Sequence, residues 1–343
     1  MPNLDLDQLA IQSAARVLER GGLVAFPTET VYGLGADAEN PAAVASIYAA
    51  KGRPSNHPVI VHLAPEADLE YWVEAMPAAA RQLIEAFWPG PLSLILKRAA
   101  HIPDAVSGGQ DSVGLRCPSH PVAQALLRTF KNGRGGVAAP SANQFGRVSP
   151  TTAQHVRDEF GAPQAAIGHG VLNCILDGGA SEVGIESTIL DLSRLATHGP
   201  VLLRPGHISA DQIAAVIGRQ PSLPDAAAPR ASGTLDAHYA PCTPVALLQG
   251  DALPATLSRL LHAGRRVALI HYSDLPPASA SVRLAAEPDS YAHALYAALR
   301  TMDQAGAELI LVEAPPTGLD WLGINDRLRR AAHDSLGILK NFL

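Results

Sequence analysis

Short β-rich runs alternate with amphipathic stretches of helical period along the 343 residues, and that alternation predicts an α/β protein. Two further observations divide it. At about 100–200 residues per domain the chain is long enough for two domains. Residues 219–244 are rich in Pro, Ala and Ser without periodicity, as a linker would be. The expected plan is a first domain over 1–218, a linker over 219–244 and a second domain over 245–343.

The elements follow in order. Residues 6–18 place Leu6, Leu9, Ala10, Ser13, Val17 and Leu18 roughly on one face and stop at Gly21-Gly22, where a left-handed helix cap is expected. Residues 23–26 read as a buried strand. Asn40-Pro41 supplies an N-cap and a first-turn proline for a helix to about residue 50. Further strands are predicted at 59–63, 92–96, 113–115, 137–139, 188–192 and 201–203, and helices at 78–87, 121–130, 151–160 and 210–217. After the linker come strand 245–248, a helix to 262, strand 267–272, helix 291–304, strand 309–312 and helix 324–332. Strands separated by helices of that length predict parallel crossovers, hence a small Rossmann-like second domain of about 100 residues.

Composition excludes several classes. Hydrophobic residues at 47%, charged residues at 17% and a mean hydropathy of +0.10 suit packed cores and exclude a disordered or collagen-like chain. Lys+Arg 26 against Asp+Glu 32 leaves a net charge of −6 with no basic tract, which argues against a protein that grips nucleic acid mainly through phosphates. Cys117, Cys174 and Cys242 form no CxxC pair, which fits a reducing cytoplasm. The acidic N-terminus lacks the basic and apolar regions of a signal peptide. Apolar runs such as 92–96 and 309–312 fall far short of the ~20 residues of a membrane helix. A cytoplasmic protein is expected.

There is no P-loop, no GxGxxG, no GxSxG elbow and no His/Cys cluster of metal spacing. A phosphate-handling site therefore has to use dispersed Lys, Arg and Ser. Four segments carry such residues. Residues 27–35, PTETVYGLG, put hydroxyls and glycines directly after a strand, where open α/β sheets bind ligands. Residues 51–58, KGRPSNHP, hold Lys51 (the chain has four lysines) two positions from Arg53, and lead into a strand ending near His62. Such a pair suits phosphate or carboxylate oxygens, Arg as a fork and Lys as a point charge. Arg116, within the run DSVGLRCP, closes a short strand, and residues 139–151, APSANQFGRVSPT, are small and hydroxyl-rich up to a helix start. Taken singly, each has an ordinary structural explanation: a solvated turn, cations at a helix end, a surface ion pair, and Ser149-Pro150 as an N-cap and first-turn proline.

In this order, PTETVYGLG, KGRPSNHPVIVH, VGLRCP, APSANQFGRVSPT, GIESTI and LRPG resemble the YrdC-like family of L-threonylcarbamoyladenylate synthases, over about residues 7–210. His238-Tyr239-Ala240-Pro241 and the run from Ile324 to Arg329 resemble the long form of that family, which carries an extra C-terminal domain. The resemblance implies a nucleotidyltransferase that condenses L-threonine, bicarbonate and ATP, with Mg²⁺, into threonylcarbamoyl-AMP and pyrophosphate. Its product serves a downstream tRNA threonylcarbamoyl-transfer machinery, with tRNA itself a weak partner and no membrane involved. The implied fold is a twisted mixed sheet curved round an electropositive cavity, plus the Rossmann-like domain.

By matching positions, Lys51 and Arg53 are the implied catalytic residues. Threonine is implied to be held by Thr30, His62, Arg116, Ala139 (through its backbone) and Ser187. ATP is implied to be held by Arg53, His57, Ser112, Ser141, Ser149, Arg204 and Tyr239, the last reaching in from a linker that acts as a lid. Metal ligands are not implied. Two positions depart from the family pattern: His57 stands where relatives often have Asn, and Ala237, preceded by Asp236, stands where they often have a basic residue. The alternative reading is a double-stranded RNA-binding module using the same cavity, which the net charge opposes. A hydrogenase-maturation carbamoyltransferase needs zinc-binding CxxC pairs that this chain lacks.

Overall fold

A computed structural model describes residues 7–168, 170–234, 237–275 and 278–342. Leu6 and Asp236, named above, lie outside them. The chain divides into two compact units: residues 1–145, 150–182 and 186–234, and residues 146–149, 183–185 and 235–343. The 219–244 segment is thus not a body of its own. It belongs to the first unit as far as residue 234.

Nine strands make the sheet of the first unit among the described residues: β1 (Leu23–Phe26), β2 (Gly33–Asp37), β3 (Ile60–His62), β4 (Leu92–Lys97), β5 (Ser112–Arg116), β6 (Val137–Ala138), β7 (Leu172–Ile175), β8 (Thr188–Asp191) and β9 (Val201–Arg204). Their spatial order is β7-β1-β2-β6-β3-β5-β4-β8-β9. Parallel pairs (β3 with β5, β4 with β8) mix with antiparallel ones (β4 with β5, β8 with β9), so the sheet is mixed, as expected. Val61, Leu94, Leu115 and Leu190 pack one side of its centre into the main core, with Trp72, Ile47 and Leu83.

The second unit has β10 (Val245–Leu248), β11 (Val267–His271), β12 (Ala280–Arg283) and β13 (Leu309–Glu313) in the order β10-β13-β11-β12. Among the described residues every pairing in this sheet is parallel, the Rossmann-like arrangement expected from strand–helix alternation. No helix among the described residues is long and apolar enough to cross a membrane.

Local chemistry explains the helix ends. Asp7 caps helix Gln8–Glu19 by accepting from the backbone N–H of Leu9 and Ala10, and Gly21 follows with a φ of +82°. Asn40 and Pro41 start helix Pro41–Lys51 as predicted. One cap is corrected. Ser149 does not start the helix predicted at 151–160; Thr152 does, its hydroxyl accepting from the His155 N–H at 3.2 Å, and the helix runs Ala153–Phe160.

Candidate active site on one face of the first sheet

Strand register builds the site. His62 lies opposite Arg116, and Ile60 opposite Gly114. Ile95 faces Gly114 and Lys97 faces Ser112; Ser93 pairs with Ile189, and Ile189 with Arg204. Because side chains alternate along a strand, the residues from β3, β4 and β5 share one face with Ile189, and a bulge in the pairing at Ile189 and Leu190 sets Arg204 opposite Ile189. His62 and Arg116 mark one end of it, where β3 and β5 finish, and Ser112 marks the other. Between them Ile60, Ile95 and Ile189 form an apolar strip with Val201, Leu203 and Ala231. Gly114 leaves room there: a Cβ would stand 2.5 Å from Ile60 Cδ1 and 3.0 Å from Ile95 Cδ1, so both side-chain ends would have to shift.

At the Arg116 end the guanidinium is buried and paired. Its NH2 donates to Glu29 Oε1 at 2.7 Å and its Nε to the Gly90 carbonyl at 3.3 Å. Glu29 Oε2 accepts from the Ser119 N–H at 3.0 Å. His62, edge-on to Phe26 with ring centroids 6.0 Å apart, has a buried Nδ1 with no partner. Burial, and then the neighbouring Arg116 charge, push its pKa down to about 3, so the ring is neutral at any working pH. Thr30 is buried with its hydroxyl 2.8 Å from that of Thr28. Ala139 sends its N–H to the Ile60 carbonyl at 2.9 Å.

Ser187 and Arg204 adjoin this end. Arg204 donates to the Ser187 carbonyl from Nε at 3.1 Å and NH2 at 2.9 Å, and NH2 also reaches the Ser187 hydroxyl at 3.2 Å. The Ser93 hydroxyl sits 2.8 Å from that of Ser187. Arg204 NH1 donates to the Ser232 carbonyl at 2.9 Å, while Arg53 NH2 donates to the Ser232 hydroxyl at 3.2 Å and the Pro58 carbonyl at 3.1 Å. Ser232 thus ties together two arginines expected to bind ATP. His57 lies near Arg53 and Arg230; its burial, then their charges, lower its pKa.

Lys51 does not stand in solvent. Its buried ammonium donates to the carbonyls of Ser141 (2.6 Å) and Asn143. Burial, then the Arg53 charge, depress its pKa well below the ordinary lysine value. Ser141 bridges to Gly33, which joins the 141–143 loop to the start of β2.

Thr30, Lys51, Arg53, His57, His62, Ser112, Arg116, Ala139, Ser141, Ser187 and Arg204 all belong to the first unit. Ser149 and Tyr239 fall in the second. There Tyr239 is buried at a φ of +61°, stacked on Tyr296 at 5.8 Å, with the Arg327 guanidinium 5.4 Å from its ring centroid. Three further residues of the first unit matter here: Glu29 lies inside the PTETVYGLG motif, Ser93 is the lone hydroxyl in an apolar run, and Ser232 falls in the segment whose composition predicts a linker. Among the described residues no group of three or more His, Cys, Asp or Glu could hold a metal ion.

Comparisons with known proteins identify the family. The Sua5/YciO/YrdC family model, described as "Telomere recombination", matches residues 16–206. A second model, "Threonylcarbamoyl-AMP synthase, C-terminal domain", matches residues 208–333. Threonylcarbamoyl-AMP synthase of Pyrococcus abyssi is 36% identical over 95% of this chain and 95% of its own length. That of Bacillus subtilis is 40% identical over 94% and 92%. A crystal structure of P. abyssi Sua5 complexed with L-threonine superimposes with a TM-score of 0.85 at 34% identity, covering 96% of each chain. Both family models and both full-length relatives point one way: the chain belongs to the two-domain, Sua5-type branch of the threonylcarbamoyl-AMP synthase family.

Proposed function

We propose that this protein makes threonylcarbamoyl-AMP from L-threonine, bicarbonate and ATP, with threonine at the Arg116 end of the sheet face and the nucleotide toward Arg53, His57 and Ser112. The threonine amine captures bicarbonate as a carbamate, with loss of water. A carbamate oxygen then attacks the α-phosphorus of ATP, the bond from that phosphorus to the bridging oxygen breaks, and pyrophosphate leaves. Attacking and leaving groups are both anionic, so the protein's work is positioning and charge neutralisation.

Arg116 is the fork for the threonine carboxylate, with Thr30, Ser187 and the Ala139 backbone around the amino acid. Neutral His62 adds an uncharged ring beside the Arg116 guanidinium. Arg53 and Arg204 meet the phosphates, with Ser112 and Ser141 completing the nucleotide's contacts within the first unit. Lys51 serves through the 141–143 loop whose carbonyls it holds. Among the described residues no His, Cys, Asp or Glu group could hold a metal ion, and Mg²⁺ is assigned to the MgATP substrate, with no step given to a protein-held metal. The product goes to the machinery that transfers the threonylcarbamoyl group to tRNA.

The observation that carries this reading is that Arg116 and Arg204 are buried at strand ends of the first sheet, with Arg53 joined to Arg204 through Ser232. Incubation with ATP, L-threonine and labelled bicarbonate tests it. Pyrophosphate and a labelled adenylate should form only when all three are present. Serine should be used less well, by about 10- to 200-fold for one lost methyl. Equal use of serine, or no product with threonine, overturns the assignment.

A further inference from the structure

We infer that Glu29 is a positioning residue for the amino-acid end of the site: its carboxylate fixes Arg116 so that the guanidinium meets the substrate carboxylate already oriented. The inference rests on the proposed role of Arg116 as threonine anchor. Glu29 is 3% exposed and Arg116 4%, so neither is held in place by solvent. The carboxylate is bidentate: Oε1 takes Arg116 NH2 at 2.7 Å and Oε2 takes the Ser119 N–H at 3.0 Å. It therefore ties the guanidinium, which sits at the end of β5, to the loop that follows that strand. The Gly90 carbonyl adds a third tie, at Nε. Arg116 makes no other side-chain hydrogen bond among the described residues, and none of its nitrogens is a buried, unpartnered atom. Its NH1 edge is left for an incoming anion.

Two physical consequences follow. A long, rotamer-rich side chain is immobilised before substrate arrives, so binding does not bear that entropy. The buried guanidinium is also compensated in the free protein, which a lone buried charge is not. Neither close substitute reproduces the arrangement. A Gln amide turned with its oxygen to Arg116 sets its NH2 against the Ser119 N–H, donor against donor; turned the other way it opposes Arg116 instead. Asp keeps the charge but is one methylene too short to span both partners.

Titration calorimetry of L-threonine and ATP against wild type, Glu29→Gln, Arg116→Ala and the double variant tests this, with thermal melts to establish folding. Glu29→Gln should weaken threonine by about 10- to 100-fold, the loss of a charge-assisted bond, and leave ATP within about two-fold. In the Arg116→Ala background the same change should cost nothing further, because Glu29 acts through Arg116. Glu29→Asp, a second variant should Gln fail to fold, should shift threonine in the same direction by less. If Arg116→Ala abolishes threonine binding while Glu29→Gln and Glu29→Asp bind it normally, the inference falls and the anchor stands. Equal losses for threonine and ATP, or a further loss in the double variant, overturn it in favour of a general folding role. Unchanged threonine affinity in Arg116→Ala overturns the anchor, and the inference with it.

Discussion

Replacing His62 by Asn should flatten the acid limb of the protein's stability curve. The histidine is 3% exposed and its pKa falls from 6.5 to about 3 in the fold, through burial and then Arg116. Between those values the unfolded chain binds a proton that the native protein refuses. Stability therefore rises with pH through this window and falls as pH drops below 6.5, by up to about 1.4 kcal/mol per pH unit. Integrated from pH 8 to pH 5, the group removes about 2 kcal/mol, and the figure depends only on the native pKa lying well below 5. His57 and His120 are also shifted down and act in the same sense, but they are common to both proteins. Urea unfolding at pH 8, 6.5 and 5 would measure it. The gap between wild type and His62→Asn should change by about 2 kcal/mol across the series, in favour of the variant at acid pH. Parallel curves would mean that His62 takes up its proton in the folded protein, and that the neutral ring assigned to it does not exist.

Lys51→Met keeps the volume but removes the donor to two loop carbonyls; it should raise KM for ATP about ten-fold or more and lower stability by about 1–3 kcal/mol. Unchanged ATP kinetics would show that the 141–143 loop needs no lysine. Gly114→Ala pushes a methyl to 2.5 Å from Ile60 Cδ1 and should cost about 1–3 kcal/mol by denaturant unfolding, with Ile60→Val in the same chain restoring part of it; no rescue refutes the clash. Arg230 is held by Gln110 through both its N–H (2.7 Å) and its carbonyl (3.2 Å). Gln110→Ala should therefore speed tryptic cleavage after Arg230 about five-fold or more, and MgATP with threonine should slow it again. Equal cleavage in all states would leave the segment a plain tether.

Where hydrophobic pattern and cap chemistry act locally, the fold was readable from the residues. Strands at 23–26 and 245–248 and helices at 78–87 and 210–217 lie where the periodicity put them. Strand β2 was not readable, because Gly33 and Gly35 argue against a strand by propensity. A Cβ on Gly35 would meet Phe26 Cε1 and Val137 Cγ1 at 2.8 Å each, so packing demands the residue that propensity disfavours. Edge strand β12, four residues of Ala, Ser, Val and Arg, carries no signal of its own. The site divides the same way. Arg116, Ser187 and Arg204 were legible through motifs, whereas the Glu29–Arg116 pair joins residues 87 positions apart. Likewise Ser232 meets Arg53 across 179 positions, a meeting only the folded sheet creates.

The stretch that crosses the sheet before residue 234 also decides where this protein can be shortened. Ser222 pairs beside β9, and Ala228 and Ala231 then pack over Ile60, Ile95, Ile189, Val201 and Leu203. A fragment ending at residue 218 would present those five side chains to water as a greasy band in the middle of the sheet, and chains so cut should clump. A fragment ending at 234 keeps Ala228 and Ala231 over that band. An inactive short form is therefore ambiguous until light scattering has shown it to be monodisperse, and the 234 ending is the one whose activity reports on catalysis rather than on stickiness.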